Sequence, residues 1–278
     1  MEESEKYNNA ILILNLTEKY SNINWNWCNI SSNENITMNI IEKYHNKPWD
    51  YQYISSNPNL TIEFIYKNMD KSWDWGRISQ NKNITMNIIE KNGIYPWDYQ
   101  NISHNPNLTL QFFENNIDEE WNWYVISKNK IITLDIIDKY PNKPWDFDAL
   151  SLNPNLNIEF IEIHKNISWN WYNISSNINI TLDIIEKYHD KPWNWKGISS
   201  NPNLNIDFIN LNLHKDWSWE QLSCHKNITM DIIKQNRSYP WKFIWIYLNP
   251  NITIDFYETY LEPCEEIFKS YNITTSMI

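Results

Sequence analysis

Residues 49–72 read WDYQYISSNPNLTIEFIYKNMDKS, and residues 73–96 read WDWGRISQNKNITMNIIEKNGIYP. Laid over each other, both have Trp at position 1, an aromatic ring at position 3, Ile at 6, Ser at 7, Asn at 9 and 11, and Thr at 13. The frame extends in both directions. Trp25, Trp49, Trp73, Trp97, Trp121, Trp145, Trp169, Trp193, Trp217 and Trp241 are spaced by 24 residues without a slip. Position 3 is Trp, Tyr or Phe in every repeat, and positions 1 and 3 together hold every Trp except Trp245. Three columns have one exception each: Tyr247 at position 7, His225 at position 9 and Ile131 at position 11. A fixed period of this length is the signature of a stacked repeat architecture.

A second period lies over the first. The repeats led by Trp49, Trp97, Trp145, Trp193 and Trp241 follow a proline and carry Asn-Pro-Asn, as in Asn57-Pro58-Asn59, with Phe at position 16. The alternate repeats lack these features, so the chain is five copies of a 48-residue pair.

Each repeat reads as two short helices. Apolar residues at positions 1, 3 and 6 suit a first helix of about two turns over Trp49 to Asn57. Asn24, Ser72, Ser168 and Asp216 stand just before a Trp and are the expected N-caps of the repeats without a preceding proline. In the second helix Thr61 is the expected N-cap, Glu63 complements the helix dipole, and Leu60 and Ile65 have hydrophobic-staple spacing. The same logic recurs at Thr37, Thr85, Thr109, Thr133, Thr181, Thr229 and Thr253.

A lone repeat this short buries too little to offset the entropy of ordering it, so each must pack on its neighbours. The expected fold is all-α: an α-solenoid of ten 24-residue repeats over 25–264, between capping elements. Residues 1–24 form the N-terminal cap. Glu18-Lys19-Tyr20 is in phase with Glu42-Lys43-Tyr44, so residues 10–20 read as the second helix of a degenerate repeat. Residues 265–278 form a C-terminal cap or tail, expected to cover the apolar stretch Trp241 to Leu248.

The net charge of −11 repels phosphate backbones and anionic lipid, so neither nucleic acid nor a membrane surface is an expected partner. The apolar run Ala10–Leu14 is too short for a signal peptide or membrane span, which points to a soluble intracellular protein. Cys28, Cys224 and Cys264 occupy different repeat positions and suggest neither a disulfide framework nor a metal site. No column pairs Ser with His and an acid, and the three glycines cannot form a phosphate loop, so no catalytic residue and no cofactor is expected. The many Asn-x-Thr sequons, such as Asn35-Ile36-Thr37, read as turn plus N-cap rather than glycosylation sites. The Asn columns read as turn-closing residues that bond along the stack, and the Trp columns as core.

The stretch Ile54 to Ile65, Ile-Ser-x-Asn-Pro-Asn-Leu-Thr-x-Glu-Phe-Ile, resembles the leucine-rich variant repeat. That family has the same period and alternates α and 3₁₀ helices. The Trp columns here depart from its small aliphatics, and its iron–sulfur cysteine cluster is absent. The phrase Lys-Pro-Trp-Asp…Ile-Ser-x-Asn-Pro-Asn looks like Trp/Asn-rich tandem-repeat proteins of giant DNA viruses that infect amoebae, over residues 25–264. That resemblance implies a viral protein of host cytoplasm or virion and brings no activity.

Positions 4 and 5 differ from repeat to repeat. In solenoids the exposed helix face varies and selects the ligand while the scaffold stays fixed. Gln52, Tyr53, Arg77, Gln100, Tyr124, Tyr172, Lys196, Glu220 and Trp245 are therefore the candidate partner-binding residues. The functional expectation is a monomeric, non-enzymatic scaffold for a protein partner, with a structural component of a virus particle as the alternative.

Overall fold

The computed structural model of the chain describes residues 2–256 and is built of helices; among the described residues there are 21 helices and no strand. The all-α repeat solenoid is therefore observed, with two short helices in each repeat. The 48-residue alternation appears as helix length. First helices after a proline have four residues, as in Tyr51–Ile54 and Trp195–Ile198, while the others have five or six, as in Trp75–Ser79 and Trp171–Ser176.

The first helix begins two residues later than the periodicity suggests. Its N-cap is position 2, not the residue before the Trp. The carboxylate of Asp50 accepts the N–H groups of Gln52 and Tyr53, and Asn26, Asp74, Asp98, Asn170 and Asn194 cap the N–H three residues on in the same way. Ser72, Ser168 and Asp216 instead lie at the centre of a tight turn, in which the Trp N–H reaches back two residues, as Trp73 does to the Lys71 carbonyl. Such a turn needs φ near −75°, which proline supplies and whose missing N–H is not used. That is the physical reason Pro48, Pro96, Pro144, Pro192 and Pro240 fit this position.

The second helix, at positions 14–19, follows the expected caps. The hydroxyls of Thr61, Thr85, Thr109, Thr181 and Thr229 accept the N–H three residues on, and Asn157 and Asn205 do the same. Thr37 and Thr133 hold the cap position without that side-chain bond. Three columns make the core. Ile54, Leu60 and Ile65, at positions 6, 12 and 17, are fully buried, and their equivalents are buried in almost every repeat. Each such side chain contributes roughly 1.5–3 kcal/mol relative to exposure.

The N-terminal segment is one continuous helix, Glu2–Lys19, rather than a short helix over residues 10–20. Its end keeps the repeat phase: the Trp25 indole N–H donates to the Tyr20 carbonyl as Trp49 does to Tyr44. Ala10, Leu14 and Thr17, spaced by helical turns, form its buried stripe. Residues 257–278, and with them the expected C-terminal cover, lie outside the described residues. The chain divides into two compact halves, Met1–Ile126 and Ser127–Ile278, and the boundary falls inside the helix Trp123–Lys128.

Candidate functional site

The variable residues stand on a frame fixed by three polar columns. At Asn57, Asn81, Asn105, Asn153, Asn177, Asn201 and Asn249 the position-9 amide is buried and bonded to the main chain of the preceding repeat. Asn57 Nδ2 donates to the carbonyls of Ser31, Asn33 and Ile36, at 2.8, 3.1 and 3.0 Å. Its Oδ1 accepts the Asn59 N–H at 2.8 Å. Asn59 Nδ2 then donates to the carbonyls of Glu34 and Ile36. Asn105, Asn153, Asn201 and Asn249 repeat the inner pattern. The Asn columns thus satisfy loop carbonyls along the stack, as expected.

The Ser column does similar work, and sequence reasoning missed it. Ser55 Oγ donates to the Tyr51 carbonyl within its own helix and accepts the Asp74 N–H of the next repeat. The link to the next repeat is made by all nine serines of the column. The available signal was a small polar residue fixed beside the buried Ile or Leu of position 6. Tyr247 ends the column in a repeat that no further Trp-led repeat follows.

The Trp of position 1 has a polar role as well as an apolar one. In all ten repeats its indole N–H donates to the carbonyl five residues earlier, at the C-terminal end of the preceding second helix. Each of these carbonyls also accepts the main-chain N–H three residues on, as Tyr44 does from Lys47, so the indole fills a second acceptor site at the helix end. Phe or Tyr could fill the space but could not place a ring N–H there. The ring of position 3 meets the next Trp edge to face, as in Tyr51–Trp73 at 5.2 Å and 88° and Trp195–Trp217 at 5.1 Å and 79°. Burial in the Trp column is graded, from 2 % exposure at Trp121 to part-exposure at Trp25.

His225 occupies an Asn place and reproduces its bonds. Nε2 lies 3.0 Å from the Asn201 carbonyl, and Nδ1 accepts the Asn227 N–H at 3.1 Å. The pattern requires a neutral ring protonated on Nε2. Burial, and secondarily the nearby Lys226, hold its pKa below the ordinary histidine value against the opposing bond to Asn201.

The nine candidate residues do not form one cluster. Position 4 is exposed or half-buried in every repeat, whereas position 5 ranges from buried at Val125, Ala149 and Gly197 to exposed at Asn29 and Trp245. The expectation that both positions are exposed therefore fails at Val125, Ala149 and Gly197. In the first half, Arg77 stacks on the Tyr53 ring at 4.4 Å, pairs with Asp74 at 3.2 Å and reaches the Gln52 carbonyl. Gln100 donates to the Trp121 carbonyl, and Tyr124 is 48 % exposed.

In the second half, the Tyr172 hydroxyl accepts a bond from Gln221, two repeats on. Gly197, in the repeat between them, permits that approach, since a Cβ there would stand 2.4 Å from the Tyr172 carbonyl. Lys196 pairs with Asp216 and Glu220 with Lys242, while Trp245 is 40 % exposed. Among the described residues no group of three or more His, Cys, Asp and Glu side chains is placed to hold a metal ion, and no helix is long and apolar enough to cross a membrane.

No family pattern, curated protein or solved structure matches the chain.

Proposed function

We propose that the chain is a non-enzymatic scaffold that binds a protein partner through the outward side chains of its first helices. The observation that carries this is the contrast within each repeat: amide, hydroxyl and indole columns lock the frame, while position 4 changes identity and faces solvent. Such a frame can change its surface without changing its fold. Alanine at Gln52, Tyr124 and Tyr172 together should abolish capture of a partner from host-cell extract and leave thermal unfolding unchanged. Equal capture by the triple variant sinks the reading.

An assembly role is the second reading. It is favoured by the exposed apolar side chains of the last repeat, Phe243, Trp245, Leu248 and Ile254 at 50, 40, 63 and 77 %. Sedimentation that shifts with concentration and is abolished by Trp245→Glu would favour it over the first.

The resemblance to giant-virus repeats supports placement in host cytoplasm or virion. The ladder supports a compartment without glycosylation, because the sequon asparagines Asn59, Asn83 and Asn107 use Nδ2 to bond carbonyls of the preceding repeat. A glycan on that nitrogen would disrupt those bonds. Secretory expression should therefore give glycosylated, poorly folded chain, and folded glycoprotein would argue against this placement.

A further inference from the structure

Five repeats place an asparagine at position 20, just past the end of the second helix, in one shared geometry. Asn68, Asn92, Asn116, Asn212 and Asn236 each donate Nδ2 to the carbonyl four residues earlier, at 2.7–3.0 Å. Their backbones agree, with φ between −114° and −126° and ψ between 26° and 46°. What differs is the next residue. Met69, Ile117, Leu213 and Arg237 follow four of them, and Gly93 follows Asn92. No other asparagine of the chain precedes a glycine. The fold does not require that glycine: Gly93 does not adopt a left-handed backbone, and a Cβ there would meet nothing within 4 Å. Glycine just beyond a helix normally serves through a left-handed φ, so its usual structural reason is missing here.

We propose that Asn92–Gly93 is a site of spontaneous deamidation and isomerisation, held in check by the bonds that fix the Asn92 amide. In the reaction the Gly93 main-chain nitrogen gives up its proton and bonds to Asn92 Cγ, and ammonia leaves, closing a succinimide ring. Water then opens the ring at either carbonyl, to aspartate or to isoaspartate. A Cβ on the following residue crowds the attacking nitrogen, and this separates Asn92 from its four counterparts. Ring closure needs that nitrogen on the same side as the Asn92 Cβ, and at a ψ of 39° it lies nearly opposite. The amide is also held at both ends, Nδ2 by the Ile88 carbonyl and Oδ1 by the Tyr66 hydroxyl. Reaction therefore waits for local opening of the helix end, a motion of low free energy at fraying termini. The product cannot restore the native contacts. A carboxylate replaces the donor to the Ile88 carbonyl and puts negative charge at the C-terminal end of a helix. In isoaspartate the main chain runs through Cβ, and the carbonyl that receives the Trp97 indole and the Tyr95 N–H becomes a free carboxylate. The indole lock of one repeat is lost with age.

The test is to incubate the full chain in neutral to mildly alkaline buffer and map its peptides by mass spectrometry, with isoaspartate scored by an isoaspartyl methyltransferase. Product should accumulate at Asn92 and stay at background at Asn68, Asn116, Asn212 and Asn236 in the same sample. Gly93→Ala should lose it, with a melting temperature in fresh protein no lower than that of the natural chain. Met69→Gly should transfer the reaction to Asn68, whose geometry is the same. Tyr66→Phe should speed the reaction at Asn92 about fivefold, as loss of one hydrogen bond worth about 1 kcal/mol implies. Incubation should lower the melting temperature of the natural chain but not of Gly93→Ala. Product at Asn92 no greater than at its four counterparts, or undiminished in Gly93→Ala, would overturn the site. An Asn68 that stays unreactive in Met69→Gly would overturn the role given to the following residue, and an unchanged rate in Tyr66→Phe would overturn the gating. None of these outcomes depends on partner binding, so the scaffold reading stands or falls separately.

Discussion

At the loop edge of a repeat, the asparagine side chains bond to the main chain of the repeat before. On the first-helix face, Tyr172 and Gln221 bond to each other's side chains, and Gln52 extends into solvent. The difference teaches where stability and choice of partner are kept apart. A buried amide that bonds three carbonyls cannot be replaced without leaving at least one of them unpaired. An exposed Tyr or Gln can be replaced at little cost, so that face is free to vary.

The sharpest way to break the comparison is to remove a rung. Asn201→Ala leaves the carbonyls of Ser175, Asn177 and Ile180 without their amide donor. The Ile180 N–H still reaches the Asn177 carbonyl and Asn203 Nδ2 the Ile180 carbonyl, so the Ser175 carbonyl alone loses its donor outright. With an unpaired buried group costing about 1–3 kcal/mol, a loss of roughly 2–3 kcal/mol is expected in urea unfolding. A loss below about 1 kcal/mol would mean that water replaces the amide. Next comes Trp217→Phe, which keeps a ring against Trp195 but deletes the N–H donated to the Asn212 carbonyl. The Asn212 carbonyl keeps the Lys215 N–H, so about 0.5–1.5 kcal/mol is expected for the one bond lost, and Trp217→Tyr should not restore it.

The odd rung sharpens the comparison by pH. His225 is held neutral, so the folded state binds fewer protons than the unfolded chain near and below the ordinary histidine pKa. Its contribution to stability is present above that value and is lost as pH falls through the lowered folded value. Melting temperature should therefore drop more steeply between neutral and mildly acidic pH in the natural chain than in His225→Asn. Equal pH profiles would show that the ring is not titrating in the ladder. Smallest of all, Tyr172→Ala should shift stability by less than about 0.5 kcal/mol, as is usual at exposed sites. A larger loss would make the first-helix face part of the frame.

Much of the fold was legible because its columns are chemical necessities. The Trp period marked the repeat, the Thr column marked the second helix, and the Asn columns were correctly read as turn-closing and stacking residues. The first helix was placed two residues early because Trp and the aromatic ring of position 3 share an apolar face. Apolar spacing does not show that the N–H groups are capped by Asp50 or Asn26 in between. The candidate surface was half legible. Variation identified positions 4 and 5 together, but only packing showed that position 5 is buried at Val125, Ala149 and Gly197, where Gly197 lies against the Tyr172 carbonyl of the preceding repeat.

The sequence by itself determined the repeat, its 48-residue alternation, the caps of the second helices and the all-helical class. Each of these depends on local chemistry or on a period that the chain displays directly. Tertiary structure decided what lies between repeats: the indole N–H on a helix end, the serine bridge and the neutral His225. These depend on distances between residues about one repeat apart, and a one-dimensional pattern does not carry those distances.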